Sequence, residues 1–416
     1  MQRLARILLT ASLLLVASCG SYSTLPHASW LRSASSPLML EKNGPNPFRR
    51  WPVSGGPMYI TDKGRSVYVA GDGIIWRISP FAVVSTYISP FSTEFFRGIT
   101  EGSDGNIWSC DSSNDSMDRL TPSGVWTAFN DAQAADCSGG LVGGADGNLW
   151  YTLNNPDAVQ RISTSGTNVV TYPLSAANGG QLIRDQSGLM WFTLGDAVAS
   201  IDTNGTITEY ATTGTVRSIT PGAAGGALFT ESNSNPTCWV ESISDQGVQA
   251  QVGPTTGCGI SAIAQLPDGS ILVGQQTGTG RTEQNNLLKY TTATNAWQTI
   301  SIPSVGYGEP DQMVAGVDGN LYFTQGADAI ASYQELLMSA SPTSLSFAGI
   351  DQQKTLTIEE SNYSGAWTAI SGKPSVATVS QAGPNTFTVT SVASGSCAIE
   401  IFDSYRNELE ISVNVP

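Results

Sequence analysis

Charged residues are scarce in this sequence, since only 13% of its 416 residues are Asp, Glu, Lys or Arg. The 19 basic residues are outnumbered by 34 acidic ones, and the formal net charge is −15. This balance excludes nucleic-acid binding through a basic face. The single histidine, His27, excludes most histidine-based catalysis and most zinc sites. Several common classes of function are therefore excluded before any motif is considered.

Glycine is abundant, with 44 copies beside 21 prolines. With so few charges, this composition argues against long solvated helices and favours short strands joined by turns. A chain of this length is expected to hold two or three domains. The predicted fold class is therefore all-β.

The first 18 residues have the features of an export signal. Arg3 and Arg6 precede an apolar run, residues 7–17, that is too short to span a bilayer. The sequence Val-Ala-Ser-Cys that ends at Cys19 resembles a bacterial lipobox. That resemblance implies cleavage before Cys19, acylation of its new N-terminus and a flexible tether over residues 19–45. The alternative is an ordinary secretory signal cut near Ala17. The resemblance to a lipobox implies a protein of the bacterial cell envelope, anchored by lipid at the outer membrane or cell surface.

A repeat with a period near 42 residues dominates the rest of the chain. Its best copies contain Asp-Gly-Asn, an apolar residue and an aromatic residue. The last residue of each copy is here called an anchor. The anchors are Tyr68, Trp108, Trp150, Trp191, Leu228, Leu272 and Tyr322. Such a period accommodates four short strands, which form one blade of a β-propeller. The sequence predicts seven blades over residues 46–335, and a strand at residues 48–53 is expected to close the last blade.

Two copies of the repeat, residues 146–152 and 318–324, read DGNLWYT and DGNLYFT. They resemble the streptogramin (virginiamycin) B lyase family and its non-enzymatic relatives, and the likeness extends over about residues 47–333. The resemblance implies an elimination reaction that depends on a histidine and on glutamates that hold Mg²⁺ at one mouth of the channel. The inner segment of the sixth blade, residues 259–265, contains neither His nor Glu. No catalytic residue is therefore predicted.

A different pattern begins after the last repeat. Short alternating strands are predicted at residues 354–358, 375–380, 386–390 and 395–401. These segments resemble the bacterial Ig-like (group 2) domain. The resemblance implies a small β-sandwich over residues 336–416 that acts as a spacer or adhesive unit, and Trp367 is its expected core aromatic.

Disulfides are expected in an exported protein. Cys110 and Cys137 are predicted on one face of the propeller, because second strands end and blades connect on the same face. Cys238 and Cys258 are expected to repeat this relation, although four cysteines allow three pairings. Cys397 shares a strand face with Ile399 and is expected to be a buried apolar residue.

Candidate ligand residues lie three positions after the anchors. Asp111 and Glu231 are carboxylates, and Gln275 and Gln325 are amides. Such oxygens at a channel mouth suit a bound ligand or a Ca²⁺ or Mg²⁺ ion. The alternative is ordinary polar strand ends that face water. No other cofactor is predicted.

Two functions remain compatible with the sequence. The favoured one is a monomeric, lipid-anchored and non-catalytic propeller that binds an envelope glycan, peptide or partner protein. The alternative is a divalent-metal-dependent lyase or hydrolase with a carboxylate site at the channel mouth, for which Asp111 and Glu231 would have to share one metal ion.

Overall fold

The structure is a computed structural model that describes residues 47–416, apart from residues 80–81, 93–94, 176–178, 234–236, 279–283, 304–307, 326–327, 335–337, 361–364 and 405–406. The described residues form nine four-stranded sheets and one short 3-10 helix, Ala134–Asp136, so the predicted all-β class is confirmed. In the described part of the chain, no helix has the length and apolar character needed to cross a bilayer.

Residues 48–333 form seven of these sheets, which are the blades of a β-propeller. The chain starts with β1 (Phe48–Pro52), which joins the seventh blade. The first three blades are β2 (Tyr59–Lys63), β3 (Ser66–Ala70), β4 (Ile74–Ile78) and β5 (Val84–Ile88); β6 (Phe96–Glu101), β7 (Ile107–Asp111), β8 (Ser116–Leu120) and β9 (Trp126–Asn130); and β10 (Cys137–Gly143), β11 (Leu149–Asn154), β12 (Asp157–Ile162) and β13 (Val170–Pro173).

The remaining blades follow the same plan, with the strands of each blade hydrogen-bonded in chain order. They are β14 (Gly179–Arg184), β15 (Met190–Leu194), β16 (Ala197–Ile201) and β17 (Ile207–Ala211); β18 (Thr215–Pro221), β19 (Ala227–Ser232), β20 (Thr237–Ile243) and β21 (Gln249–Gly257); β22 (Ile260–Gln265), β23 (Ile271–Thr277), β24 (Gln284–Thr291) and β25 (Ala296–Ser301); and β26 (Pro310–Ala315), β27 (Leu321–Gln325) and β28 (Ala329–Tyr333).

All seven anchors lie on the second strands of their blades, and the repeated motif has a structural role. In the second blade, the indole Nε1 of Trp108 donates a hydrogen bond of 3.0 Å to Oδ1 of Asp104, and the indole is fully buried. Trp150 makes the same 3.0 Å bond to Asp146 in the third blade. The aspartate therefore satisfies the polar atom of a buried aromatic residue, which would otherwise destabilise the core.

Adjacent blades pack through a second repeated device. Gly166, in the outer turn of the third blade, has a φ of +74° and lies against the ring of Phe129 in the second blade. Gly205 in the fourth blade, with a φ of +88°, lies in the same way against Tyr172 in the third. A Cβ atom at either glycine would overlap the ring. The Ser-Gly and Asn-Gly turns thus let successive outer strands approach closely.

The propeller has two distinct faces. The turn face carries the turns between first and second strands, such as residues 144–148, whereas the connection face carries the links between blades, such as residues 131–136. First strands run from the connection face to the turn face. In blades two to seven, the pairing of first and second strands shifts register near the connection face, whereas β2 pairs with β3 without a shift. Bulges therefore bend most first strands at that end.

The seventh blade combines both ends of the propeller segment. β1 pairs antiparallel with β28, and Phe48 and Tyr333 are opposite each other at the turn face. The backbone N–H of Gln334 extends this ladder with a 2.7 Å bond to the carbonyl oxygen of Pro47. The chain thus enters and leaves the propeller on the same face.

The C-terminal segment forms two further sheets around a separate core. The sheet orders are β29-β31-β34-β33 and β30-β36-β35-β32. The strands are β29 (Met338–Ser341), β30 (Ser344–Ser346), β31 (Gln353–Glu360), β32 (Thr368–Ser371), β33 (Ala377–Gln381), β34 (Thr386–Ser391), β35 (Gly395–Phe402) and β36 (Glu408–Val415). Trp367 and Cys397 are partly buried and pack against this core, which includes the fully buried Ile399 and Ile401.

A hydrogen bond joins this C-terminal segment to the turn face. The side-chain Nδ2 of Asn320, in the turn of the seventh blade, donates to Oδ1 of Asn407 over 2.9 Å. Asn407 is itself fixed by bonds from its backbone N (2.8 Å) and its Nδ2 (2.9 Å) to the carboxylate of Asp403. The repeated Asp-Gly-Asn turn therefore has an additional contact in this blade.

Candidate functional site

A central cavity of about 680 Å³ is lined by residues from the first strand of every blade. Its lining also includes residues of the turn face, such as Ser103, Gly144 and Pro267. A cavity of this size lies within the range of small-molecule sites in proteins. It is therefore the candidate functional site.

The lining of the cavity includes half-buried residues with branched aliphatic or thioether side chains. These residues are Ile60, Val142, Ile183, Met313 and Val314. Ile99, Leu141, Leu182 and Ile219 also belong to the lining, but they are at most 6% exposed and pack into the cores between blades. Tyr59 is the single aromatic residue among the described residues that line the cavity, and its ring lies against Gly139 of the third blade. The half-buried aliphatic residues therefore offer a ligand apolar contacts that do not depend on aromatic stacking.

Charged side chains lie where the first strands approach the turn face. Asp62, Glu101 and Arg184 come from the first, second and fourth blades. The ammonium of Lys63 is 2.7 Å from the carboxylate of Glu101 and also bonds to the carbonyl oxygen of Gly105. Glu101 therefore has a cationic partner within the protein.

Asp62 and Arg184 lack oppositely charged partners in the described part of the chain. Burial, with a smaller contribution from Glu101, raises the pKa of Asp62 above its usual value. Nη1 of Arg184 donates a 2.7 Å hydrogen bond to the carbonyl oxygen of Gly143, which is a neutral acceptor. Both side chains can thus bind charged groups of a ligand at this mouth.

The structure places Asp111 away from the residues that line the cavity. Its carboxylate is fully buried, and Oδ1 accepts bonds from the Ser92 hydroxyl (3.0 Å) and from the backbone N (2.9 Å) and hydroxyl (2.6 Å) of Ser113. Oδ2 accepts a 2.9 Å bond from Nδ2 of Asn114. Asp111 therefore ties together the loops at the connection face.

Glu231 has a similar position in the fifth blade. Its Oε2 accepts a 2.8 Å bond from the backbone N of Gly214 and a 3.3 Å bond from the hydroxyl of Thr213, both in the preceding connection. Burial and the neighbouring carboxylate of Glu241 raise the pKa of Glu231 to about 7. Its environment therefore favours a protonated carboxyl over a second negative charge.

The two predicted amides also hold connections. Nε2 of Gln275 donates to the carbonyl oxygen of Gly257 (2.9 Å), and Nε2 of Gln325 donates to that of Gly308 (2.8 Å). Like Asp111 and Glu231, neither is among the described residues that line the cavity. All four share one structural position, at the end of a second strand, but the structure does not bring them together around the cavity.

No group of three or more His, Cys, Asp or Glu side chains among the described residues has a geometry that could hold a metal ion. The donors around Asp111 already occupy both of its oxygens. The Ca²⁺ or Mg²⁺ site remains a prediction of the sequence, and the described geometry around these residues is that of loop anchoring.

Both predicted disulfides are present in the structure. Cys110 is bonded to Cys137 with a Cα–Cα distance of 6.5 Å, and Cys238 to Cys258 with 5.0 Å. Both distances are normal for disulfides. Cys238 lies on the third strand of its blade rather than at the end of the second, and Cys137 is the first residue of β10 in the next blade rather than part of the connection. Cys258 lies in the connection that follows its blade. Cys19, the predicted lipidation site, lies outside the described residues.

Sequence reasoning missed Asp62, Glu101 and Arg184. Glu101 and Arg184 lie seven residues before their anchors, and Asp62 lies six before Tyr68. The residues at this position differ in each blade, whereas the anchors are alike. Reading the position before the turn, rather than the one after the anchor, would have found the charged mouth of the cavity.

Comparisons with known proteins agree with this architecture. The streptogramin B lyase structure matches with a TM-score of 0.59 and 20% identity, covering 69% of this chain and 98% of that one. Selenomethionine-substituted virginiamycin B lyase from Staphylococcus aureus matches with a TM-score of 0.58 and 20% identity, over 69% and 99% of the two chains. These likenesses show the fold.

A third structure with the same fold is a catalytically inactive variant of the Staphylococcus aureus enzyme, with one histidine replaced by alanine, together with quinupristin. It has a TM-score of 0.58 and 20% identity, and covers 69% of this chain and 99% of that one. No curated protein sequence matches this chain. The model of the virginiamycin B lyase family matches residues 52–282, which is more than half of the sequence. The chain therefore belongs to the virginiamycin B lyase family.

Proposed function

We propose that this protein is a non-catalytic binding protein of the bacterial cell envelope, and that its ligand occupies the central cavity. The observation that carries the proposal is the cavity of about 680 Å³, with half-buried aliphatic residues in its lining and charged residues at one mouth. A concave site with a few converging polar groups is the usual form of a small-ligand site.

The sequence supports binding over lyase chemistry. A solved relative that lacks one histidine is described as catalytically inactive, and the single histidine of this chain, His27, precedes the propeller. The first strand of the sixth blade, β22, contains neither His nor Glu. General-base catalysis at the cavity would therefore need a group other than histidine.

The remaining parts of the proposal concern anchoring and architecture. The lipobox ending at Cys19 supports attachment to a membrane through a lipid. The pairing of β1 with β28 supports a seven-bladed ring closed by strand exchange. The two C-terminal sheets around one core support an Ig-like module that extends the propeller. The protein is proposed to act as a monomer with no nucleic-acid partner.

The binding site can be tested with a soluble protein that starts at Ser21. Thermal shifts would be measured with envelope-derived peptides and oligosaccharides, and at a ligand concentration a hundred times Kd the gain is about 2.7 kcal/mol. Ala315→Trp, which fills the cavity, should abolish the shift, whereas Val317→Trp, on the neighbouring exposed turn, should retain it. A shift that survives Ala315→Trp would place the ligand elsewhere.

Catalysis and anchoring need separate measurements. Incubation with quinupristin, followed by mass spectrometry, should return the compound intact, whereas its cleavage would overturn the non-catalytic assignment. For anchoring, Cys19→Ala should move the full-length protein from the membrane fraction to the soluble fraction of the cell envelope. Retention of this variant in the membrane would contradict the lipid anchor.

A further inference from the structure

The charges at the mouth of the cavity are separated in space. The carboxylates of Asp62 and Glu101 lie on the first and second blades, and the guanidinium of Arg184 lies on the fourth. In a ring of seven blades, the first and fourth are as far apart around the channel as two blades can be. The mouth therefore has a negative side and a positive side.

On the negative side, Asp62 is a carboxylate of the lining with no ion-pair partner in the part of the chain that the structure describes. Lys63 is 2.7 Å from Glu101 and neutralises it, but no ion pair to Asp62 occurs among the described residues. Its burial raises the pKa of the Asp62 carboxyl, because a desolvated negative charge is unfavourable without a partner. A cationic group of a ligand would supply that partner.

On the positive side, the guanidinium of Arg184 has further N–H donors that can bind a ligand. One nitrogen, Nη1, bonds to the carbonyl oxygen of Gly143 over 2.7 Å, and no carboxylate pairs with the guanidinium among the described residues. A guanidinium has five N–H donors in a planar fork, which matches the two oxygens of a carboxylate. A carboxylate of the ligand is thus the group that suits this side.

The inference rests on the proposed function, in which the cavity is the ligand site. We propose that the ligand is a short linear peptide with free termini, whose ammonium binds Asp62 and whose carboxylate binds Arg184. The apolar side chains of the peptide pack against half-buried aliphatic and thioether side chains of the lining, which include Ile60, Ile183 and Met313. Such a peptide carries opposite charges at its two ends and apolar side chains along its length, which matches the charged mouth and the half-buried apolar residues of the lining.

The lining favours this ligand over the other candidates. Sugar rings usually stack on aromatic side chains, and Tyr59 is the single aromatic residue among the described residues of the lining. A polyanion would place its charges beside Asp62, which has no ion-pair partner among the described residues and would repel it. Of the chemistries open to an envelope protein, a dipolar peptide satisfies both unpaired charges at once.

The first test uses the unaltered protein from Ser21 onward and isothermal titration with Leu-Ala-Leu in four forms: free, N-acetylated, C-amidated and blocked at both ends. The free peptide should bind about tenfold more tightly than each singly blocked form, because each blocked terminus removes one charge-assisted hydrogen bond. Equal affinities for the free and doubly blocked forms would overturn the proposal while leaving the cavity as a binding site.

Two matched variants assign each terminus to its residue. Asp62→Asn should lose the preference for a free amino group but keep the preference for a free carboxylate, and Arg184→Gln should show the reverse. Arg217→Gln, which removes an exposed guanidinium that bonds to Ser232 outside the lining, should change neither preference. Variants that bind all four forms with unaltered preferences would overturn the assignment.

The outcomes separate this proposal from the proposed function. If the peptides fail to bind but an oligosaccharide binds and loses its shift in Ala315→Trp, the peptide is overturned and the cavity site stands. If neither class binds, both proposals fail. Because the comparison of free and blocked peptides requires no substitution, the test remains decisive even if a variant does not fold.

Discussion

The two ends of the propeller's strands use polar residues in opposite ways. At the connection face, the buried carboxylate of Asp111 receives four hydrogen bonds from its own loops. Near the turn face, Asp62 lines the cavity without a cationic partner among the described residues. Both are aspartates near strand ends, but Asp111 ends a second strand and Asp62 lies on a first strand. What separates their roles is whether other residues of the described chain supply the polar partner of the carboxylate.

This difference separates stability from binding. A buried polar group that is fully hydrogen-bonded holds the fold together, and its removal leaves several donors without an acceptor. A partly buried charge without a partner lowers the free energy of unfolding, and a ligand that supplies the partner raises it again. The connection face is therefore expected to carry stability, and the turn-face mouth to carry recognition.

The largest expected effect is at the disulfides of the connection face. Replacing Cys110 and Cys137 together by Ser should lower the free energy of unfolding by about 3–4 kcal/mol, because the bond constrains a loop of 27 residues in the unfolded chain. Guanidinium unfolding without reductant measures this loss, and Cys397→Ser, at a thiol outside the two disulfides that is partly buried against the C-terminal core, is the control, with a smaller change of about 1 kcal/mol. A loss no larger than that of the control would remove the connection face from its stabilising role.

A smaller effect is expected from a pair of matched substitutions. Asp111→Asn should lower the free energy of unfolding by about 1–3 kcal/mol, because an amide nitrogen would face the donors of Ser113 or Asn114. Asp62→Asn should change stability by less than about 0.5 kcal/mol, or raise it, because an unpaired charge is removed. Melting temperatures of both variants, with and without Ca²⁺ or Mg²⁺, measure the difference. A metal-dependent gain in the unaltered protein that is lost in Asp111→Asn would reverse the comparison.

The smallest effect concerns pH. Burial raises the pKa of Asp118 to about 6, and burial together with a neighbouring carboxylate raises the pKa of Glu231 and Glu360 to about 7. In the unfolded chain, these groups titrate near pH 4. Folding thus takes up protons between about pH 4 and 7, and the stability from these groups is lost as pH rises through their folded pKa values.

The expected outcome is a higher melting temperature at pH 5 than at pH 8. Below about pH 4 the trend reverses, because hydrogen bonds outweigh burial and lower the pKa of Asp146, Asp185 and Asp202. Glu231→Gln and Glu360→Gln should each flatten the slope between pH 5 and 8, the first in the propeller and the second in the C-terminal segment. A melting temperature that rises from pH 5 to pH 8 would contradict this origin of the slope.

The sequence was sufficient for most of the architecture. Every anchor, even the degenerate Leu228 and Leu272, lies on the second strand of a blade, because a period near 42 residues fixes four strands independently of local detail. The disulfide partners also followed, because the propeller topology puts strand ends and connections on one face.

The site was harder to predict, for a physical reason. Asp111 and Asp62 are both polar residues near strand ends, and only the folded loops show that Ser92, from the preceding connection, bonds to the first. The mouth of the cavity also depends on residues from different blades, separated by more than a hundred positions in the case of Asp62 and Arg184. A repeat pattern reveals the residues that recur in every blade, whereas the binding site depends on residues that differ from blade to blade.

The antiparallel pairing of β1 with β28 has a mechanical consequence. Because Phe48 and Tyr333 are paired at one end of the ladder, tension between the chain before β1 and the C-terminal segment would act on that pair first. The hydrogen bonds of the ladder would then break one pair at a time, as in a zipper, rather than all together in shear. The pairing of β1 with β28 is therefore expected to separate stepwise under load, starting from Phe48 and Tyr333.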